Sequence, residues 1–102
     1  MAVRPFAVAA AVLAAAGQPA AAATHVVVID QMKYGIVPPL KVGDTLVFVN
    51  KDIFRHSVTA SNNSFNIDLM PGATGGLRIN SAGHAVFTCK YHPGMRGSMT
   101  AK

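Results

Sequence analysis

The sequence predicts an all-β domain, folded as a two-sheet Greek-key β-sandwich of about eight strands. Short apolar or alternating segments recur along the chain, and residues that favour turns separate them. Beyond residue 23 no stretch has the apolar period of about 3.6 residues that is typical of an amphipathic helix. The expected strands cover residues 25–30, 40–42, 45–49, 56–60, 64–67, 76–79, 84–89 and 97–101. The turn signals between them are Pro38-Pro39, Gly43-Asp44, Asn62-Asn63, Pro71-Gly72 and Ser81-Ala82-Gly83.

The first part of the chain, residues 1–23, is predicted to be a signal peptide. Arg4 gives it a positive charge, residues 6–16 are apolar, and the alanines at 21–23 suit cleavage after Ala23. As a helix, the apolar stretch would span only about 16 Å, roughly half of a bilayer core, although an uncleaved tether is the alternative. Residues 24–102 then form one domain, which we expect to be a periplasmic monomer with no membrane span.

Alternation along two predicted strands places two reactive side chains in the interior. In strand 56–60, His56 shares a face with Val58. In strand 84–89, Cys89 shares an apolar face with Phe87. Both side chains are therefore expected to point inward.

Four residues form a donor set that suits copper. Cys89, His92 and Met95 follow each other at three-residue intervals, so one short loop can surround an ion, and tertiary packing can add the distant His56. One thiolate and two imidazoles favour a trigonal site with a weak thioether ligand, a geometry that serves both oxidation states of copper. The sequence therefore predicts a mononuclear type 1 copper site that moves single electrons. Cys89 is the only cysteine, and an unpaired thiol in an exported chain is often chemically employed.

With these residues the chain resembles the cupredoxins, and within them most closely the amicyanins. The similarity spans residues 26–102 and is carried by segments 32–34, 41–45, 50–56 and 92–97. The two-residue gap between His92 and Met95 is the amicyanin-like length. The resemblance implies a blue-copper electron carrier that works with redox partner proteins, such as a dehydrogenase or a c-type cytochrome. It also implies that His92 reaches the surface through an apolar patch, with Met32, Pro38, Phe54, Pro93 and Gly94 as expected members.

The chain departs from the family pattern at three residues near the expected site. Ser57 stands where many members carry Asn, which predicts a differently tuned environment for the sulfur. Lys90 and Tyr91 stand where amicyanins usually have Thr-Pro, which predicts a less constrained backbone between two ligands. Of the expected patch members, Met32 and Phe54 are equally compatible with the core.

The charge pattern bears on the partner. The chain has a net charge of +5, and four basic residues flank the ligand segments with only Asp52 expected to oppose them. This basic rim consists of Lys51, Arg55, Lys90 and Arg96. It would attract an acidic redox partner, although a generally solvated surface is the alternative. Nucleic-acid binding is disfavoured, because the basic residues are few and scattered and the chain is expected to be exported.

Other functions are weighed by their ligand chemistry. Copper delivery or storage is the main alternative, because Met32, Met70, Met95 and Met99 offer thioethers to Cu(I). Copper enzymes would need further His-rich sites, and the chain has no His-x-His pair. Zinc is a poor match for a thioether ligand, and covalent haem would need Cys-x-x-Cys-His. His25 and His84 are expected to be ordinary strand residues.

Overall fold

The computed structural model describes residues 21–102. Over this range it contains eight strands and no helix: β1 Thr24–Asp30, β2 Lys33–Tyr34, β3 Thr45–Asn50, β4 His56–Ala60, β5 Asn66–Leu69, β6 Thr74–Arg78, β7 Gly83–Thr88 and β8 Arg96–Ala101. Within the described residues no helix is long and apolar enough to cross a membrane. The predicted signal peptide, apart from its last three residues, lies outside the described range.

The eight strands form two sheets of four, as the sequence predicts for a β-sandwich. One sheet has the order β2-β1-β3-β6 and the other the order β5-β4-β7-β8. β1 runs parallel to β3, whereas the remaining neighbours are antiparallel. The buried core includes Val27, Ile29, Leu46, Phe48, Val58, Leu69 and Phe87.

The predicted strand 40–42 is wrong. Leu40 forms only an isolated bridge with Ala101. The chain turns directly afterwards, because the Asp44 N–H donates to the Lys41 carbonyl (2.9 Å). Three backbone hydrogen bonds join residues 40–42 to residues 100–102, but the turn keeps this contact to a single bridge.

Two further differences arise from left-handed turn residues that are not glycine. Gln31 and Met32 have φ values of 51° and 61°, and they fold the chain back so that β2, which the sequence did not predict, pairs with the end of β1. β5 begins two residues later than predicted, because the Asn63 N–H donates to the Ala60 carbonyl and Asn63 adopts a φ of 63°. In β4, which pairs with β5, every side chain but that of Thr59 is buried.

Phe87 is the centre of the core next to the ligand segments. Its ring is fully buried and meets the rings of Tyr34 and Phe48 edge to face, with centroid distances of 4.9 Å and 5.7 Å. A Cβ atom on Gly97 of β8 would overlap the Phe87 ring. The end of β7, from which Cys89 emerges, is therefore held by close packing on two sides.

Asp44 is a buried carboxylate that organises the start of β1. It accepts hydrogen bonds from the Ala23 and Lys41 N–H groups and pairs with His25 Nε2, each at 2.9 Å. These contacts, the Ala23 hydrogen bond first, lower the pKa of Asp44 from its ordinary value of 3.8 to about 2. The carboxylate is therefore better stabilised in the folded chain than in the unfolded one.

We expect the folded domain to lose stability as the pH falls from about 4 to about 2. A carboxylate with a depressed pKa contributes its stabilisation above the unfolded pKa and loses it as the pH falls through the folded pKa. The first of these contacts comes from Ala23, so the test uses a chain that keeps this residue. In that chain Asp44→Asn should lose less unfolding free energy between about pH 5 and about pH 2 than the parent, as measured by urea unfolding. Equal losses in the two proteins would contradict this role of Asp44.

Candidate metal centre

Three donor side chains meet at one end of the second sheet. His56 begins β4, Cys89 directly follows β7, and His92 lies three residues further on. The Cys89 Sγ atom is 3.8 Å from His56 Nδ1 and 3.7 Å from His92 Nδ1. All three donor atoms lie within 4.8 Å of one another. The structure thus brings together three of the residues that the sequence singled out, and they are positioned for a type 1 copper site.

The packing of β4 against β7 explains why distant residues converge. The two strands pair at Thr59↔Thr88 and Ala60↔Phe87. Beyond these pairs, towards the donor side chains, the Ser57 N–H donates to the Cys89 sulfur instead (3.3 Å). His56 and Cys89 are both buried, as alternation predicts.

The local environment favours the thiolate form of Cys89. Burial raises the pKa of this thiol, but hydrogen bonds from the backbone N–H groups of Ser57 and Tyr91 and from the imidazoles of His56 and His92 lower it to about 6. At neutral pH the sulfur is therefore largely deprotonated, and a thiolate is a strong ligand for soft metal ions.

Asp52 orients the His56 imidazole. Its Oδ2 atom lies 2.8 Å from His56 Nε2 and also accepts the Met32 N–H at 2.9 Å. The hydrogen bond from His56, followed by that from Met32, holds the pKa of Asp52 below its usual range. Nε2 is paired with the carboxylate, and Nδ1 faces the Cys89 sulfur. Nδ1 donates to the sulfur in the metal-free site, and on losing that proton its lone pair would be free to bind a metal. The charge pattern alone indicates Asp52 as a surface charge, although an acid four residues before a buried His also indicates a hydrogen-bonded pair.

Ser57 ties β4 to the ligand loop, which we define as residues 89–95. Its hydroxyl accepts the Lys90 N–H at 2.8 Å, and its backbone carbonyl accepts the Tyr34 hydroxyl at 2.5 Å. Burial raises the pKa of Tyr34, so its hydroxyl stays a donor. The expected change of environment at Ser57 therefore takes the form of a hydroxyl tie between the two ligand segments.

Met95 closes the ligand loop. Its N–H donates to the His92 carbonyl at 2.9 Å, and its side chain is buried in the same cluster as Cys89. Met99 belongs to the core side of β8. His25 pairs with Asp44, and among the described residues neither it nor His84 belongs to the converging donor group.

His92 is partly exposed and lies beside an exposed aromatic side chain. The Phe54 ring lies 5.8 Å from the His92 ring, and both Phe54 and Met32 are substantially exposed, so the alternative that places them in the core is wrong. Ile53 and Tyr91 add apolar area that the sequence analysis missed. Pro38 instead lines a groove along β8.

The basic rim is less uniformly positive than the sequence suggested. Arg55 forms a bidentate pair with Asp68, with Nε and Nη2 at 2.8 Å and 2.9 Å from the carboxylate oxygens. Asp68 therefore opposes the rim in addition to Asp52. Lys51, Lys90 and Arg96 remain exposed.

Comparisons with known proteins place this arrangement among copper proteins. Neither a scan of protein families nor a search of curated proteins gave a match. Among solved structures, the reduced Cu(I) form of an amicyanin variant is 30% identical, with a TM-score of 0.67, and covers 86% of this chain and 89% of that one. Amicyanin from Paracoccus versutus is 29% identical, with a TM-score of 0.65 and coverages of 86% and 88%.

A larger protein shares the fold alone. The Cu-containing nitrite reductase from Thermus scotoductus has a TM-score of 0.72 at 24% identity. The match covers 86% of this chain but only 26% of that one. It therefore identifies one domain of similar fold within a longer protein.

Proposed function

Because the chain belongs to the cupredoxin family and is most like amicyanin, we propose that it carries single electrons between redox partners through one type 1 copper ion. The observation that carries this proposal is the convergence of one thiolate and two imidazoles within 4.8 Å, at the start of β4 and in the ligand loop that follows β7. Such a donor set stabilises both oxidation states of copper in one geometry.

Each ligand has a separate role in this proposal. Cys89 would hold the ion as thiolate, His56 and His92 would supply two imidazoles, and Met95 would add a weak thioether ligand. When bound, copper supplies the one-electron couple. The protein residues keep the ligand positions fixed, exclude water from His56 and Cys89, and bring the edge of His92 to the surface.

Loading the chain with Cu(II) and recording optical and electron-spin spectra tests this function. We expect an intense visible absorption band that disappears on reduction and returns on oxidation. A colourless and readily exchanged Cu(I) complex would contradict electron carriage. That outcome would favour copper delivery, in which the exposed thioethers of Met32 and Met70 would also bind.

Met95→Gln is expected to retain copper and to lower the reduction potential. The amide oxygen is a harder ligand than the thioether, so it stabilises Cu(II) relative to Cu(I). Potentiometric titration measures the shift. Met70→Gln is the matched control, because Met70 is exposed and lies outside the ligand loop. An unchanged spectrum and potential in Met95→Gln would remove Met95 from the ligand set.

The proposed partner is an acidic redox protein, such as an acidic c-type cytochrome. Lys51, Lys90 and Arg96 of the basic rim support this proposal, since exposed charges steer association. We expect the electron-transfer rate constant at low protein concentration to fall as the salt concentration rises. Lys90→Gln should weaken this salt dependence more than Lys102→Gln. Lys102 directly follows β8, at the end away from Arg96. A rate constant that does not vary with salt would exclude electrostatic steering.

We also propose that the protein acts in the periplasm as a monomer, after removal of residues 1–23. The apolar stretch at 6–16 and the alanines at 21–23 support export. The mass of the protein recovered from the periplasm tests both the export and the cleavage after Ala23.

A further inference from the structure

A cluster of three side chains lies beside the ligand loop and has no part in the copper site as described so far. Asp68 forms the bidentate pair with Arg55 and accepts a hydrogen bond from the Tyr91 hydroxyl. The Arg55 guanidinium also lies over the Tyr91 ring, 4.7 Å from its centroid. One carboxylate, one guanidinium and one phenol therefore contact each other pairwise.

The positions of these residues connect both ligand segments. Arg55 directly precedes His56. Asp68 lies in β5 and pairs with Ser57 of β4 in the sheet register. Tyr91 lies between Cys89 and His92 in the ligand loop. The cluster thus spans the same two segments that would share the metal.

The contacts are of a kind that fixes geometry. The hydrogen bond from Arg55, followed by that from Tyr91, holds the pKa of Asp68 below its usual range, so the acceptor is charged. A bidentate pair between a guanidinium and a carboxylate restricts both orientation and distance. Because the pair is partly exposed, its contribution to overall stability is small, and its main effect is on local order.

The ligand loop needs such a restraint. Amicyanins usually have Thr-Pro between the Cys and His ligands, and proline fixes one backbone dihedral there. This chain has Lys90 and Tyr91 instead. The Lys90 N–H is held by the Ser57 hydroxyl, and the Tyr91 N–H donates to the Cys89 sulfur within the loop. The Tyr91 side chain then adds a contact to Asp68, in a strand outside the loop.

We propose that Arg55 and Asp68 act as positioning residues that hold Tyr91, and through it the backbone between Cys89 and His92, in one conformation. This inference rests on the proposed function, because the two residues at the ends of this backbone segment are proposed copper ligands. Side-chain contacts replace the restraint of a proline. The ligands are then prearranged before metal binds, and they move little when an electron is gained or lost.

Tyr91→Phe tests the proposal, because it removes the hydroxyl and keeps the ring under Arg55. We expect amide hydrogen exchange at residues 90–95 to become about three- to tenfold faster, the range for losing one hydrogen bond. In the copper-loaded protein we expect electron self-exchange, measured by NMR line broadening, to slow by a similar factor. The midpoint of urea unfolding should change little.

A second variant and a control make the test specific. Asp68→Asn removes the charge that holds Arg55 and weakens the acceptor of the Tyr91 hydroxyl, so its effect on loop exchange should be at least as large. Adding Tyr91→Phe to it should add little, because the two substitutions act on the same hydrogen bond. Asp30→Asn should leave the loop unchanged, because within residues 21–102 this carboxylate accepts only the neighbouring Gln31 N–H.

Unchanged amide exchange in both Tyr91→Phe and Asp68→Asn would overturn the proposal. A lowered unfolding midpoint with unchanged loop exchange and self-exchange would also overturn it, because the cluster would then be merely structural. Amide exchange is measured on the metal-free chain as well. If the chain failed to form a blue copper complex, the proposed function would fail while the positioning role would still be decided.

Discussion

Replacing Cys89 with serine is expected to abolish the intense visible absorption of the copper-loaded protein. The band requires a bond between copper and a thiolate, and a serine hydroxyl remains protonated at neutral pH. Serine is close to cysteine in size, and the Ser57 N–H that meets the Cys89 sulfur can donate to its hydroxyl. The fold should therefore persist while the spectral signature is lost. Optical and electron-spin spectra at equal copper loading measure the effect.

A histidine pair provides the matched comparison for this experiment. His56→Gln should lose the same band, because it removes an imidazole from the converging donor group. His84→Gln should keep it, because His84 is hydrogen-bonded to Thr100 in β8 and lies outside that group. Retention of the blue band in Cys89→Ser would refute the site as a whole.

Phe87→Ala is expected to have the largest effect on stability, a loss of about 3–5 kcal/mol in the free energy of unfolding. The ring is fully buried and packs edge to face with Tyr34 and Phe48, so its removal leaves a cavity between the sheets. The total free energy of unfolding of a native protein is roughly 5–15 kcal/mol, so this substitution would remove much of it. Urea unfolding of the metal-free chain measures the change.

A substitution at Gly97 provides a control, because Gly97 packs directly against the Phe87 ring. Gly97→Ala alone should destabilise the protein, because the added Cβ overlaps the Phe87 ring. In the Phe87→Ala background the same substitution should be nearly neutral, since the space is then free. Additive losses in the double variant would mean that the two residues do not share this contact.

The parts of the site that depend on alternation and local spacing could be predicted from the sequence. Period-two alternation places His56 and Cys89 on buried faces, and the structure has both buried. The three-residue steps from Cys89 to His92 and Met95 keep these residues in one loop. Strands that pair near these positions then bring His56 to the loop, so the donor group follows from register.

The parts that depend on contacts between distant segments could not be predicted. Arg55 and Asp68 are 13 positions apart, and no local pattern indicates that their side chains meet. The hairpin of β1 and β2 depends on left-handed φ values at Gln31 and Met32, residue types that rarely adopt them. Leu40 has the composition of a strand residue, but the chain turns before a ladder can form.

The Asp52 carboxylate links the two sheets at the metal end. It binds the Met32 N–H in the turn of the first sheet and the His56 imidazole at the start of β4 in the second sheet. The carboxylate that holds His56 in place therefore also holds the two sheets together. By thermodynamic linkage, a metal that binds the folded form alone raises the melting temperature of both layers together.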